Sequence, residues 1–350
     1  MKFVCYSDWD QLPDSANALF EQVENDSIFF SRPWFENLAT ALDDDDAMVL
    51  ACVIDSVGAG NKVMAILPLI KSAENKFFSL KHRYTTHYSL LLADPEHDQD
   101  QQLILSCMVQ GLNQLPLHSL LLEPVADNDS RISALQRIMK TAGFNCERLF
   151  RLYNWIYRMQ GQSFKDYMAA RPARLRNTIS RKKRKLDREH GFEIRLFTGD
   201  EVPQAMSDYY AVYTASWKAN EQYVGFLDGI VAGFSRPGWS RLAVLYVKGQ
   251  PIAAQLWFVL RNKASIFRLA YDEAWKQYSP GSILTRFLME YVIDIDKVEE
   301  IDFLTGNEAY KQDWMSDRRE RFALSCVKSV KPAGWSEQFV ESVKRMWKRR

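Results

Sequence analysis

The sequence Ser279-Pro280-Gly281-Ser282 stands between an apolar run and an amphipathic one. Ser279 suits a helix N-cap, Pro280 a first helical position, and Gly281 a point where backbone must approach a ligand closely. A helix opened this way has free N–H donors in its first turn and the positive end of its dipole there, so it can hold a phosphate. The same four residues would also serve simply to start a helix. The other chemically loaded stretch is basic. Arg171, Arg174, Arg176, Arg181, Lys182, Lys183, Arg184, Lys185 and Arg188 crowd one segment with only Asp187 against them. Three fates are open to it: a solvated helix face, contacts to phosphates of a nucleotide-linked or lipid-linked sugar, or a grip on tRNA.

Other candidates are weaker. Asp43 to Asp46 lack EF-hand spacing and read as a solvated turn. His82 and His87 are five apart and the remaining histidines are isolated, so no metal site is inferred. Tyr209, Tyr210, Tyr213 and Trp217 have helical spacing and fit a core, with Trp217 kept as a binding candidate.

The elements that must position these residues follow from hydrophobic periodicity. Two strands, 47–55 and 62–70, flank the turn-like Gly58 to Asn61, and helices are predicted over 99–115 and 130–142. Strands at 119–123 and 146–159 complete a mixed α/β unit. The basic segment keeps Leu175, Ile179 and Leu186 on one helical face, with Gly191 as its C-cap. Strands at 241–247, 252–260 and 264–270 then form an antiparallel meander. A helix carries Ile283, Leu284, Phe287, Leu288, Tyr291 and Val292 on one stripe, and apolar runs follow at 300–304 and 321–330. The last residues, Trp335 to Arg350, pair apolar and basic positions as a short amphipathic helix that docks on the domain or rests on a membrane surface.

Composition bounds the whole. The chain has 350 residues, 47% hydrophobic and 13% aromatic, with a formal net charge of +1. That suits one large or two ordinary folded domains, with any electrostatic specialisation local. Five scattered cysteines, none in a CxxC pair, fit a reducing compartment and give no zinc spacing. No signal-peptide core and no apolar run of membrane-spanning length is present, so a cytoplasmic protein without stable membrane insertion is expected.

Meander, tight loop, amphipathic helix, strand, short polar segment, strand: this order resembles the core of the GNAT acyltransferases. Leu269-Ala270-Tyr271-Asp272, Tyr278-Ser279-Pro280-Gly281, Asp302-Phe303-Leu304-Thr305-Gly306 and Tyr310-Lys311-Gln312-Asp313-Trp314 resemble the CelD-like acetyltransferase group, which is similar in turn to the Fem aminoacyl transferases. Phe29-Phe30-Ser31-Arg32-Pro33-Trp34 looks like that group's opening motif. The resemblance implies an α/β fold of tandem GNAT-like units over 1–160 and 161–335, the first degenerate and the second catalytic, with 336–350 as the terminal helix.

It also implies an acyl group moved from acyl-CoA to an amine of a sugar or cell-envelope precursor, without a metal. Gln277, Ser279, Gly281, Ser282 and Ile283 would meet the donor; Arg181, Lys182, Arg184, Trp217 and Tyr271 would meet the acceptor. Lys311 would stabilise the oxyanion, Asp272 would take the amine's proton, and Tyr310 would return one to the leaving group. The family loop reads Arg or Gln, two residues, Gly, one residue, then Gly or Ala. Gln277 fits its first position, but Pro280 and Ser282 replace the first and last small residues, and proline has no N–H for phosphate. An aminoacyl-tRNA donor, and a non-catalytic accessory role in polysaccharide biosynthesis, therefore stand as alternatives.

Overall fold

The computed structural model describes residues 1–42, 46–56, 61–72, 74–94, 98–218 and 221–329. The first half runs β1 (Lys2–Tyr6), α1 (Ala16–Val23), α2 (Arg32–Ala39), β2 (Ala47–Asp55), β3 (Lys62–Lys71), β4 (Lys76–Ser79) and β5 (Leu91–Leu92). It continues through α3 (Asp98–Gln114), β6 (Ser119–Ala126), α4 (Ser130–Thr141) and β7 (Phe144–Arg158). The second half runs α5 (Phe164–Ala169), α6 (Ala173–His190), β8 (Glu193–Thr198), α7 (Val202–Thr214), α8 (Val224–Ser235), β9 (Ser240–Val247), β10 (Gln250–Leu260) and β11 (Lys263–Tyr271). It closes with α9 (Pro280–Asp294), β12 (Glu300–Thr305), α10 (Lys311–Trp314) and β13 (Asp317–Lys328).

The halves share one order: strand, two helices, a set of strands (β2 to β5 in the first, β9 to β11 in the second), a long helix, a strand, a helix and a last strand, with α5 and α6 preceding it in the second half. The two last strands are exchanged. β7 of the first half pairs antiparallel with β12 of the second, and β13 of the second half pairs antiparallel with β6 of the first. β7 and β13 pair with each other over nearly their whole length. The result is one sheet in the order β1-β2-β3-β4-β6-β13-β7-β12-β11-β10-β9-β8, with β5 on β3. The run 146–159, expected to complete the first unit, thus lies beside the second, and the last run threads back into the first. The scattered-thiol reading is corrected here: Cys146 and Cys326, register partners on β7 and β13, are disulfide-bonded across 180 residues of sequence.

Helices cover both faces. One face carries α3 and α4 over the first half and α5, α6 and α9 over the second. The other carries α1, α2, α7 and α8 over a core shared by both halves. Trp34 of α2, fully buried, meets Phe226, Phe234 and Phe267 of the second half. Glycine makes that contact possible. A Cβ on Gly229 of α8 would lie 1.9 Å from Asn37 Oδ1, and the Asn37 Nδ2 donates to Phe226 O at 3.0 Å. β10 is buried from Ile252 to Leu260, as an apolar strand between neighbours must be. α6 buries only Ile179 and Leu186 and ends at Gly191, whose φ of 68° suits glycine. Asp43 to Asp45, Gly58 to Gly60 and the predicted terminal helix 336–350 lie outside the described residues.

Candidate active site

The site begins where two strands part. β11 and β12 run parallel and pair only through Lys263–Glu300, Ala264–Ile301 and Ser265–Asp302. Beyond that point β11 follows β10 to Tyr271, with Phe267 bulged so that Leu256 faces Arg268 and Trp257 faces Ile266. β12 instead follows β7 to Thr305. The diverging ends no longer pair with one another, which leaves a slot that suits an extended, amide-bearing chain.

At the mouth of this slot the chain turns into α9. Asp272 caps a 3-10 helix, Glu273–Tyr278, by accepting from the Ala274 N–H at 2.9 Å. Ser279 stands at the N-cap of α9 as expected, but it is left-handed (φ 53°) and its hydroxyl makes no cap bond. Its carbonyl accepts from the N–H groups of Ser282 and Ile283 at 3.1 and 3.2 Å. Pro280 has no N–H, so the first turn's amide for a ligand is that of Gly281. A Cβ on Gly281 would sit 3.3 Å from the Tyr271 ring. Gln255 of β10 fixes this turn, donating from Nε2 to Gly281 O (2.8 Å) and Thr285 Oγ1 (2.9 Å) and accepting from Trp257 Nε1 (3.0 Å). Ile283 is buried in the core, so its side chain is unavailable to a donor.

The basic helix lies against this turn. Lys182 Nζ donates to Gln277 O at 2.5 Å, and Lys185 sits 5.0 Å over the Tyr278 ring. Arg171 and Arg174 are spent on α10 and its end, through Trp314 O (3.1 Å) and Asp313 (2.7 Å). Arg176, Arg181, Lys183 and Arg184 are exposed and have no carboxylate partner among the described residues.

On the other side of the slot, the Trp217 and Tyr271 rings meet at 4.5 Å, tilted by 40°, with Trp217 half exposed. Beneath them Lys218 Nζ donates to Leu269 O at 2.5 Å and lies over the Tyr213 and Trp217 rings. Burial, with the nearby Arg268 charge, lowers the Lys218 pKa to about 8. Arg268, just past the bulge, ion-pairs with buried Glu221 and donates to the hydroxyls of Tyr84 (3.0 Å) and Tyr213 (3.2 Å). Tyr84 comes from the first half and donates to Glu221. Sequence reasoning missed Lys218, Glu221, Arg268 and Tyr84, because only folding brings them together.

Of the three residues expected to react, Lys311 is buried: its ammonium donates to Phe303 O (2.9 Å) and Thr305 O (2.5 Å) and pairs with Glu308 (3.2 Å). Burial lowers its pKa. Its donors are engaged in holding the end of β12. Asp272 is committed to its turn, and Tyr310 is exposed at the start of α10. The Glu308 charge slightly favours the charged form of Lys218, against the larger effects of burial and Arg268. In the first half, the helix corresponding to α9 is α3, and Asp98 and Asp100 stand in its first turn. Two carboxylates there repel phosphate. Among the described residues no cluster of three or more His, Cys, Asp or Glu side chains suits a metal ion, and no helix is long and apolar enough to cross a membrane.

Residues 173–312, from α6 through the slot to α10, match the family of acetyltransferase (GNAT) domains. That stretch of the second half is a GNAT domain. No curated protein matches the sequence. FemX resembles this chain at a TM-score of 0.65 and 8% identity, over 93% of this chain and 97% of FemX. A tandem GNAT protein from the clavulanic acid biosynthesis pathway aligns at 0.51 and 10%, covering 95% and 99%. L-PGS from Bacillus licheniformis aligns at 0.51 and 10%, covering 85% and 87%. At such identities the likeness is one of fold: two GNAT-like units in tandem, the arrangement the strand order repeats.

Proposed function

We propose that the chain transfers an acyl group from acyl-CoA to the amine of a sugar or cell-envelope precursor, in the slot between β11 and β12. The observation that carries this is the slot itself. Parted strand ends lead to the Gly281 amide at a helix N-terminus, with cations of α6 alongside. Ends of that kind suit the amide groups of the pantetheine arm, and the helix start suits the pyrophosphate. Gly281 and Ser282 would meet the phosphates, with Gln277 and Ser279 shaping the turn and Arg181, Lys182 and Arg184 adding charge. The Trp217–Tyr271 pair offers an exposed aromatic face on which a sugar ring can stack.

In the reaction, the acceptor's amine lone pair attacks the thioester carbonyl carbon, and the C–S bond breaks as the tetrahedral species collapses. Lys218 in its neutral form takes the proton shed by the nitrogen, and Tyr310 returns a proton to the departing thiolate. Lys311 acts by fixing the strand end that lines the slot rather than by touching the oxyanion. Asp272 orders the turn before α9. The unpaired cations of α6 favour one second reading, an aminoacyl-tRNA donor of the kind the Fem-like resemblance implies.

A thermal-shift screen against acetyl-CoA, CoA and uncharged tRNA separates the readings. Stabilisation by acetyl-CoA and CoA alone supports the CoA enzyme, and stabilisation by tRNA alone supports the second reading. Indifference to all three contradicts both and favours an accessory protein.

A further inference from the structure

Where the exchanged strand β13 crosses the seam, it buries two arginines beside a small cavity. The cavity, about 40 Å³, is lined by Arg319 and Arg321 of β13, His87 of the first half, and Lys263, Glu300 and Asp302 of the second. Arg321 is 2% exposed, and it makes no hydrogen bond or ion pair among the described residues; its buried Nε is unpartnered. His87 Nε2 and Arg319 Nε are buried and unpartnered at the same place. A buried guanidinium nitrogen without an acceptor is unfavourable, so an acceptor lodged in the cavity would stabilise Arg321.

The carboxylates around the cavity are committed elsewhere. Glu300 and Asp302 pair with Arg319 at 3.0 and 2.5 Å. Asp302 also accepts from the Leu304 N–H at 2.7 Å. Glu24, also in the lining, pairs with Arg261 at 3.2 Å, and Asp26 with Arg131 at 2.9 Å. Glu300 and Asp302 bring two negative charges to the one on Arg319, yet neither bonds to Arg321 among the described residues. The field around His87 agrees: burial first, then the charges of Arg321, Arg319, Arg131 and Lys263, holds its pKa well below the ordinary value, so its ring is neutral.

We propose that this cavity is a binding site for a small monovalent anion, a halide or a one-carbon carboxylate, held by Arg321 with Arg319 and His87. A cavity must offer about 10–15 Å³ to admit one water, so this one, about 40 Å³, has room for about three or four waters or one such ion. Because its residues come from both halves, the ion would stabilise the seam. The site is remote in role from acyl transfer and stands or falls independently of it.

The test compares sodium chloride, bromide and formate with sodium gluconate at equal ionic strength, so that screening is constant. The small anions should raise the Tm of the wild-type chain saturably, by about 2–5 °C, where gluconate does not. The ³⁵Cl resonance of chloride should show excess broadening with the protein, removed by formate. Arg321→Met should abolish both effects. A Tm indifferent to anion identity with no excess broadening overturns the site in favour of trapped water. Broadening that survives Arg321→Met overturns it too. If that variant fails to fold, the wild-type broadening and its competition by formate decide.

Discussion

Lys311→Met separates a latch from an oxyanion donor. The substitution keeps the length of the side chain and removes the charge and its donors. The carbonyls of Phe303 and Thr305 then lose the ammonium that joins them, and Glu308, largely exposed, returns to water at little cost. Hydrogen bonds to a charged group contribute about 1.5–3 kcal/mol each, and the relieved desolvation of a buried ammonium offsets part of that. A net loss of about 2–4 kcal/mol follows, or about 3–5 °C in Tm for a chain of this size. Burial holds the folded-state pKa of Lys311 below its unfolded value. The folded state therefore binds fewer protons just below the ordinary lysine pKa, and stability gains as pH rises through that window. In Lys311→Met this gain should vanish. Urea melts across the alkaline range, with thermal melts at neutral pH, measure both. An unchanged Tm with turnover lowered about a hundredfold would refute the latch and restore Lys311 as a direct oxyanion donor.

Three other outcomes follow from the geometry. Changing Arg181, Lys182, Lys183 and Arg184 together to Gln should cost little stability, since among the described residues only Lys182 hydrogen-bonds outside the helix, to the Gln277 carbonyl, and Lys183 merely lies over the Phe192 ring; it should weaken donor binding and flatten its salt dependence, and unaltered affinity at low salt would make the run a solvated face. If Lys218 is the base, activity should rise as pH passes about 8, and Lys218→Met should lower it about a hundredfold or more while flattening that limb; Asp272→Asn, which can still cap its turn, should leave the limb in place. Gly229→Ala should destabilise by about 1–3 kcal/mol in denaturant melts, because its Cβ would collide with Asn37; a neutral result would mean α2 and α8 are not tightly docked.

Local pattern made much of the fold legible. The meander β9–β11, helix α9 and the hairpin β2–β3 fall within about two residues of their expected bounds, because apolar periodicity and turn residues agree there. α8 was not visible: Val224-Gly-Phe-Leu-Asp-Gly-Ile-Val-Ala-Gly-Phe-Ser is rich in glycine and apolar nearly all round. Gly229 and Gly233 reflect the close approach of α2, through Asn37 and Pro33, a tertiary fact. The exchange of β7 and β13 was equally hidden, since each strand looks alike whichever neighbour it takes. The site divides the same way. Ser279 to Ser282 and the α6 cations stand in runs and could be read directly. Arg268, Glu221, Lys218 and Tyr84 are ordinary residues until a buried ion pair joins them across the seam. The burial of Lys311 comes from backbone carbonyls, which sequence does not display.

Calorimetric titration of acetyl-CoA into the wild-type chain, Gly281→Val and Asp98→Ala tests the central claim most directly. A donor site at the start of α9 predicts one acetyl-CoA per chain. Affinity should fall about 5–30-fold in Gly281→Val, where the branched side chain meets Tyr271 and crowds the first-turn amide worth up to about 2 kcal/mol to an anion. Asp98→Ala, at the corresponding turn of α3, should leave it unchanged. No binding by the wild-type chain, or binding indifferent to Gly281→Val, would contradict a donor site in this slot.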